Sequence, residues 1–82
     1  MDISEIELRI RKLVALQLDI ELDLVKIESK IMEDLGGDSL DVVEMVMLIE
    51  DEFGIEIPDK EAETLKSLRA AVDYVATKLS SK

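Results

Sequence analysis

The sequence predicts an all-α fold, a small four-helix bundle with a long loop between the first and second helices and a short third helix. Three observations carry this. Apolar residues recur at helical spacing in three stretches, beginning near Ile3, at Ser39 and just after Ser67. Turn-forming and capping residues, namely Gly36-Gly37, Gly54 and Pro58, separate those stretches. At 82 residues the chain is a single domain over 1–82 with room for one core, and a helical bundle is the economical way to build it.

Ser4-Glu5-Ile6-Glu7 reads as a capping box at the start of the first helix, with Ile3 and Leu8 placed as a hydrophobic staple. That helix runs to Gln17 or Leu18. Ile3, Ile6, Ile10, Leu13 and Val14 form its buried face, while Glu5, Arg9, Arg11 and Lys12 point outward and Leu8 and Leu16 lie off the stripe. A connection from Asp19 to Gly37 follows, and its alternation of apolar and charged residues imitates a strand. A lone strand has no partner in a helical chain, so a loop is expected. Loops of that length usually work or carry structure of their own. Ile20, Val25, Ile27 and Ile31 are expected to pin it, with a helical turn between Glu28 and Glu33.

Gly36-Gly37 makes a turn and Asp38 is the N-cap of the second helix, which runs from Ser39 to Phe53 and ends at Gly54. Pro58 opens a short third helix over 58–63. Thr64 or Ser67 caps the fourth, whose inner face carries Leu68, Ala71, Val72, Val75 and Leu79, with 79–82 as a frayed tail.

Hydrophobic residues make up 48% of the chain and aromatics 2%, so the core is aliphatic, built around Phe53 with Tyr74 at its edge. Branched and flexible side chains of this kind repack at modest cost. Twenty acidic residues against ten basic ones leave a net charge of −10. Nucleic acid and anionic membranes are therefore poor partners, and proteins with basic patches are favoured. The chain has no cysteine and no histidine, hence no disulfide, no thiol nucleophile and no imidazole base. Met1-Asp2-Ile3-Ser4-Glu5 shows neither a basic nor an apolar signal region, and charges interrupt every apolar run, so a cytoplasmic protein without membrane insertion is expected. The clusters Glu33-Asp34, Asp38-Asp41 and Glu50-Asp51-Glu52 match no calcium-loop spacing, so they read as solvated acid and no metal site is expected.

Ser39 stands at the first position of the second helix, where free N–H groups and the helix dipole favour an anion. As a hydrolase nucleophile it would need a base that a chain without histidine does not supply. It can be a plain first-turn residue or an exposed point for attaching a phosphate-bearing group. On the same helix Val42, Met45, Val46, Ile49 and Phe53 converge on the core. Leu40, Glu44, Met47 and Asp51 line up opposite, an apolar and acidic stripe beginning beside Ser39. That stripe is either scattered surface residues or a docking face for basic partners.

Asp38-Ser39-Leu40, together with Glu33-Asp34-Leu35, Glu50-Asp51-Glu52-Phe53-Gly54, Glu56-Ile57-Pro58-Asp59 and Ala70-Ala71-Val72-Asp73-Tyr74, resembles the acyl carrier proteins across nearly the whole chain. The resemblance implies a carrier rather than an enzyme, with 4′-phosphopantetheine from coenzyme A esterified to Ser39 within the motif Asp38-Ser39-Leu40. It also implies Asp38 and Asp41 serving the phosphopantetheinyl transferase, and a recognition face of Leu40, Asp41, Glu44, Met47 and Asp51 for fatty-acid synthesis enzymes with basic patches. The covalent acyl cargo can shelter between helices, with Val43, Met45, Val46, Phe53, Ala71 and Val72 as wall residues of a monomer, at about 0.8 kcal/mol per buried methylene. Ile31-Met32, Leu16, Leu22 and Leu24 depart from the family pattern, and Gly36-Gly37 is also common in peptidyl carriers. Two alternatives stay open: a carrier for a polyketide, aminoacyl or specialised lipid cargo, and a non-carrier acidic adaptor.

Overall fold

The computed structural model describes residues 2–36 and 38–80. Four α-helices follow one another: α1 (Ile3–Leu18), α2 (Ser39–Phe53), α3 (Asp59–Ala62) and α4 (Leu68–Ser80). α1 packs against both α2 and α4. Ile6, Ile10 and Val14 from α1 meet Met45 and Ile49 from α2 and Leu68, Ala71 and Val75 from α4 in one core. No helix among the described residues is long and apolar enough to cross a membrane.

The start of α1 differs from the sequence expectation. Asp2 is the N-cap, in extended conformation, and its carboxylate accepts the Ser4 N–H at 3.1 Å. The charged cap two residues earlier takes up a first-turn donor and starts the helix before a box at Ser4 can. Ile3 consequently lies in the exposed first turn, 55% accessible, and not on the buried face. At the other end Asp19 adopts a left-handed conformation (φ 54°), and its N–H and that of Ile20 close onto Ala15 and Leu16 carbonyls. Aspartate tolerates that region better than bulkier residues do.

The connection over 19–38 is held by partners distant in sequence. A single 3-10 turn forms at Leu22–Leu24, and the helical turn expected between Glu28 and Glu33 is one turn, closed by the Asp34 N–H on the Lys30 carbonyl at 2.9 Å. Arg11 reaches across to it, donating from Nε to the Val25 carbonyl at 2.6 Å and from Nη2 to Leu22 at 3.4 Å. Further along, Leu68 donates to the Ser29 carbonyl at 3.0 Å and Ile31 donates to Lys66 at 2.9 Å. These two bonds form an isolated antiparallel bridge at Lys30 and Ser67. Val25 and Ile31 are fully buried and Ile20 and Ile27 partly so, as the apolar spacing anticipates.

α3 is a single turn that begins immediately after Pro58. The Ile57 N–H before it is taken by Glu50 Oε2 at 2.8 Å. Tyr74 Oη donates to Glu61 Oε2 at 2.5 Å and so fastens α3 to α4, while Lys78 Nζ lies 5.6 Å from the centre of the tyrosine ring. Partial burial, then the hydrogen bond to Glu61 and the charges of Glu61 and Glu50, push the Tyr74 phenol up to about 12. Ser67 Oγ accepts the Ala70 N–H at 3.2 Å and caps α4. That helix continues through Ser80, with Leu79 packed on the core, so the tail expected to fray from residue 79 is helical up to Ser80. Residues 81 and 82 lie outside the described residues.

Candidate functional site

The mouth of α2 is built by its own neighbours. Gly36 takes φ +75°, a conformation that side chains rarely adopt, and turns the chain toward the helix. Gly37, the second residue of the expected turn, lies outside the described residues. Asp38 Oδ1 accepts the Asp41 N–H at 2.9 Å, and Asp41 Oδ2 accepts the Asp38 N–H at 3.0 Å, closing a reciprocal capping box. Two carboxylates thus hold the backbone on either side of Ser39.

Ser39 occupies the first helical position and is exposed. Its hydroxyl has no hydrogen-bond partner among the described residues. The Ser39 and Leu40 N–H groups have no hydrogen-bond acceptor among the described residues, and the positive end of the helix dipole lies at the same place. The site therefore offers an accessible, uncommitted oxygen next to groups that tolerate a phosphate.

Beyond the mouth, Leu40 and Met47 are 63% and 58% accessible, and Glu44 and Asp51 are exposed with them. α2 presents all four on the side away from Met45, Val46, Ile49 and Phe53, which are buried. Asp41 is different. It is half-buried, and both its oxygens are committed, Oδ2 to the capping box and Oδ1 to Gln17 Nε2 at 3.3 Å. Its role within this structure is to hold the helix mouth. Gln17 also donates to Glu44 Oε2, and Arg9 Nη1 pairs with Glu52 Oε2 at 2.9 Å, so α1 touches the flank of α2 through polar contacts as well as through the core.

The residues expected to wall an acyl cavity divide into two groups. Met45, Val46, Phe53, Ala71 and Val72 are buried in the closed core. Val43 is not with them. It is 55% exposed, because its position on α2 falls a third of a turn away from the buried stripe. Two shallow grooves lie elsewhere on the surface, one between the end of α1 and the 3-10 turn and one beside α3 and α4, and none of the five buried residues lines either. The acidic clusters stay apart, and among the described residues no group of three or more acidic side chains is gathered to hold a metal ion.

Gln17 and Arg11 make contacts that the sequence does not mark, and Arg11, expected to point outward, is half-buried and turns onto the 3-10 turn. Both act across long separations, Gln17 on residues 24 and 27 positions away and Arg11 on residues 11 and 14 positions away. Neither spacing nor residue type marks them in advance.

The described residues thus form a three-helix core with one short accessory helix and an exposed serine at the mouth of an acidic helix. The phosphopantetheine attachment site family model matches residues 8–75, which include the mouth of α2. An acyl carrier protein of Campylobacter hominis is 59% identical over 66 residues, covering 80% of this chain and 84% of that protein. The chain belongs to the phosphopantetheine-attachment family and, within it, to the acyl carrier proteins. Its prosthetic group is covalently attached 4′-phosphopantetheine. The proteins of this family are carriers, not catalysts.

Proposed function

We propose that this protein carries acyl chains of fatty-acid synthesis on an arm esterified to Ser39, and that it takes no catalytic part in the reactions of its clients. The observation that carries the attachment point is the exposed Ser39 hydroxyl, unbonded among the described residues, at the first position of α2 and inside the matched segment. When attached, the group supplies a terminal thiol that holds the cargo as a thioester. The chain has no cysteine of its own to compete with that thiol.

The residues around Ser39 then have separate duties. The Asp38–Asp41 capping box keeps the first turn rigid and the hydroxyl outside it, so that a transferase meets one geometry. Both carboxylates are occupied with backbone N–H groups, which moderates their repulsion of an incoming phosphodiester. Leu40, Glu44, Met47 and Asp51 serve as the face on which client enzymes dock, the carboxylates steering basic patches and the apolar residues making small contacts. A small interface with charges at its rim exchanges fast, as delivery to successive enzymes requires. Once a client is docked, the tether makes transfer effectively intramolecular.

Sheltering the cargo requires the core to part between α2 and α4, at Met45, Val46, Phe53, Ala71 and Val72. The methionine and branched aliphatic side chains there repack at modest cost, and Phe53 is the one flat ring among them. We place the carrier in the cytoplasm as a monomer of one domain, an assignment that fits a chain with a net charge of −10 and no apolar span.

Incubation with coenzyme A, Mg²⁺ and a broad-specificity phosphopantetheinyl transferase tests the attachment point. The parent chain gains one phosphopantetheine by intact mass, and Ser39→Ala gains none while keeping its helical circular dichroism. Loading of the alanine variant would overturn the assignment. For the pathway, the loaded protein should accept and pass on malonyl and fatty acyl groups with dissociated fatty-acid synthesis enzymes; failure of all of them would point to another cargo.

A further inference from the structure

We propose that Gln17, at the end of α1, is a positioning residue of the docking face: its carboxamide holds Asp41 and Glu44 side by side with their charges intact, ready for a basic side chain of a client. This rests on the reading of α2 as the docking helix.

Three observations lead there. First, Gln17 Nε2 donates to Asp41 Oδ1 at 3.3 Å and to Glu44 Oε2, bridging two carboxylates one helical turn apart. The amide must be turned this way, because its oxygen would otherwise face two anions. Second, neither carboxylate has a cationic partner among the described residues, where the ion pairs are Arg9 with Glu52 and Lys30 with Glu33. Like charges on neighbouring helical positions repel, and their side chains would swing apart if left alone. Third, Asp41 is also locked to the Asp38 backbone. Gln17 therefore links the exposed Glu44 to the fixed mouth of α2 that presents Ser39.

The choice of a neutral donor has a consequence. A lysine or arginine at position 17 would satisfy the same oxygens but cancel the charge that attracts clients. An amide satisfies them and cancels nothing. The amide donates to both carboxylates and neutralises neither, so a client's guanidinium or ammonium meets the exposed Glu44 at a fixed place beside the charge of Asp41. Less side-chain freedom is then lost on docking.

The test uses the full chain and a phosphopantetheinyl transferase with coenzyme A and Mg²⁺, with KM for the carrier and kcat measured at low and high salt for the parent, Gln17→Met, Gln17→Lys and Glu44→Lys. Gln17→Met keeps the volume and loses the donors. It should raise KM roughly fivefold at low salt with kcat unchanged, because the charges remain but are no longer positioned. Gln17→Lys should raise KM further and flatten its salt dependence, because the charges are masked within the molecule. Melting temperatures and helical dichroism are read on the same samples, and a merely structural role would lower the melting temperature with KM and salt dependence at parent values. That result, with Glu44→Lys still raising KM, overturns the role of Gln17 and leaves the docking face standing. Parent KM values in all three variants overturn the docking face itself, and the role of Gln17 with it.

Discussion

The mouth of α2 and the connection that leads into it are adjacent in the chain and differently anchored. At the mouth, the bonds that shape the backbone join residues within four positions of one another: Asp38 to Asp41 in both directions, and the Asp38 carbonyl to the Val42 N–H at 3.1 Å. The connection over 19–38 has local bonds as well, Lys26 with Ser29 and Lys30 with Asp34 in both directions. Its attachment to the bundle comes from Arg11 on α1 and from Lys66 and Leu68 at the start of α4, with Val25 and Ile31 sunk into the core between them. A locally built segment can be rigid and exposed together, which suits the attachment point proposed at Ser39. A segment built by distant partners is ordered only while the whole bundle is.

That contrast can be broken at its strongest point by Ile31→Ala. Ile31 is 1% exposed, and its removal leaves a hole where the connection enters the core. We expect a loss of about 2–5 kcal/mol in chemical denaturation, with the whole bundle unfolding earlier in one transition. Retention of parent stability would mean that the connection is laid on the bundle and not built into it. Arg11→Met comes next. It leaves the Val25 and Leu22 carbonyls without their charged donor and should cost about 1.5–3 kcal/mol, with amide exchange rising first in residues 19–28.

At the mouth the expected effect is smaller and stays local. Asp38→Ala removes one cap and should cost about 1 kcal/mol, with faster amide exchange confined to the first turn of α2. Exchange spreading into 19–36 would show that the two regions share their anchors. The smallest effect near neutral pH belongs to a third, non-local contact, the Tyr74 bond to Glu61 that secures α3. Tyr74 is the sole tyrosine, so its ultraviolet titration is unambiguous, and its midpoint should lie at about 12. A folded-state value raised above the usual 10.0 means that the neutral phenol stabilises the fold below pH 10 and that this contribution is lost as pH climbs from there through about 12. Tyr74→Phe should remove that alkaline loss; an identical pH profile in the two proteins would contradict it.

The same difference explains what was legible in the sequence. The bounds of α2 are as expected, Ser39 to Phe53, because Asp38 caps one end and Gly54, at φ 63°, closes the other, both through residues within one turn. The inner faces of α2 and α4 follow from spacing alone, and so does the outward stripe of Leu40, Glu44, Met47 and Asp51. The start of α1 was misplaced by two residues because Asp2 and Ser4 both carry capping side chains and local pattern does not rank them. Val43 was misassigned to the interior because membership of a wall depends on how α2 is rotated against α4, a tertiary quantity. Arg11, Gln17 and the bridge at Lys30 and Ser67 were invisible for the same reason. Their partners are brought near only by the finished fold.

The central claim is that the locally built mouth of α2 presents Ser39, and Ser39 alone, as the point of attachment. Fragmentation mass spectrometry of the phosphopantetheine-loaded chain tests it most directly. The account predicts that the added mass sits on Ser39 in every loaded molecule; the increment on Ser29, Ser67 or any other hydroxyl would contradict it.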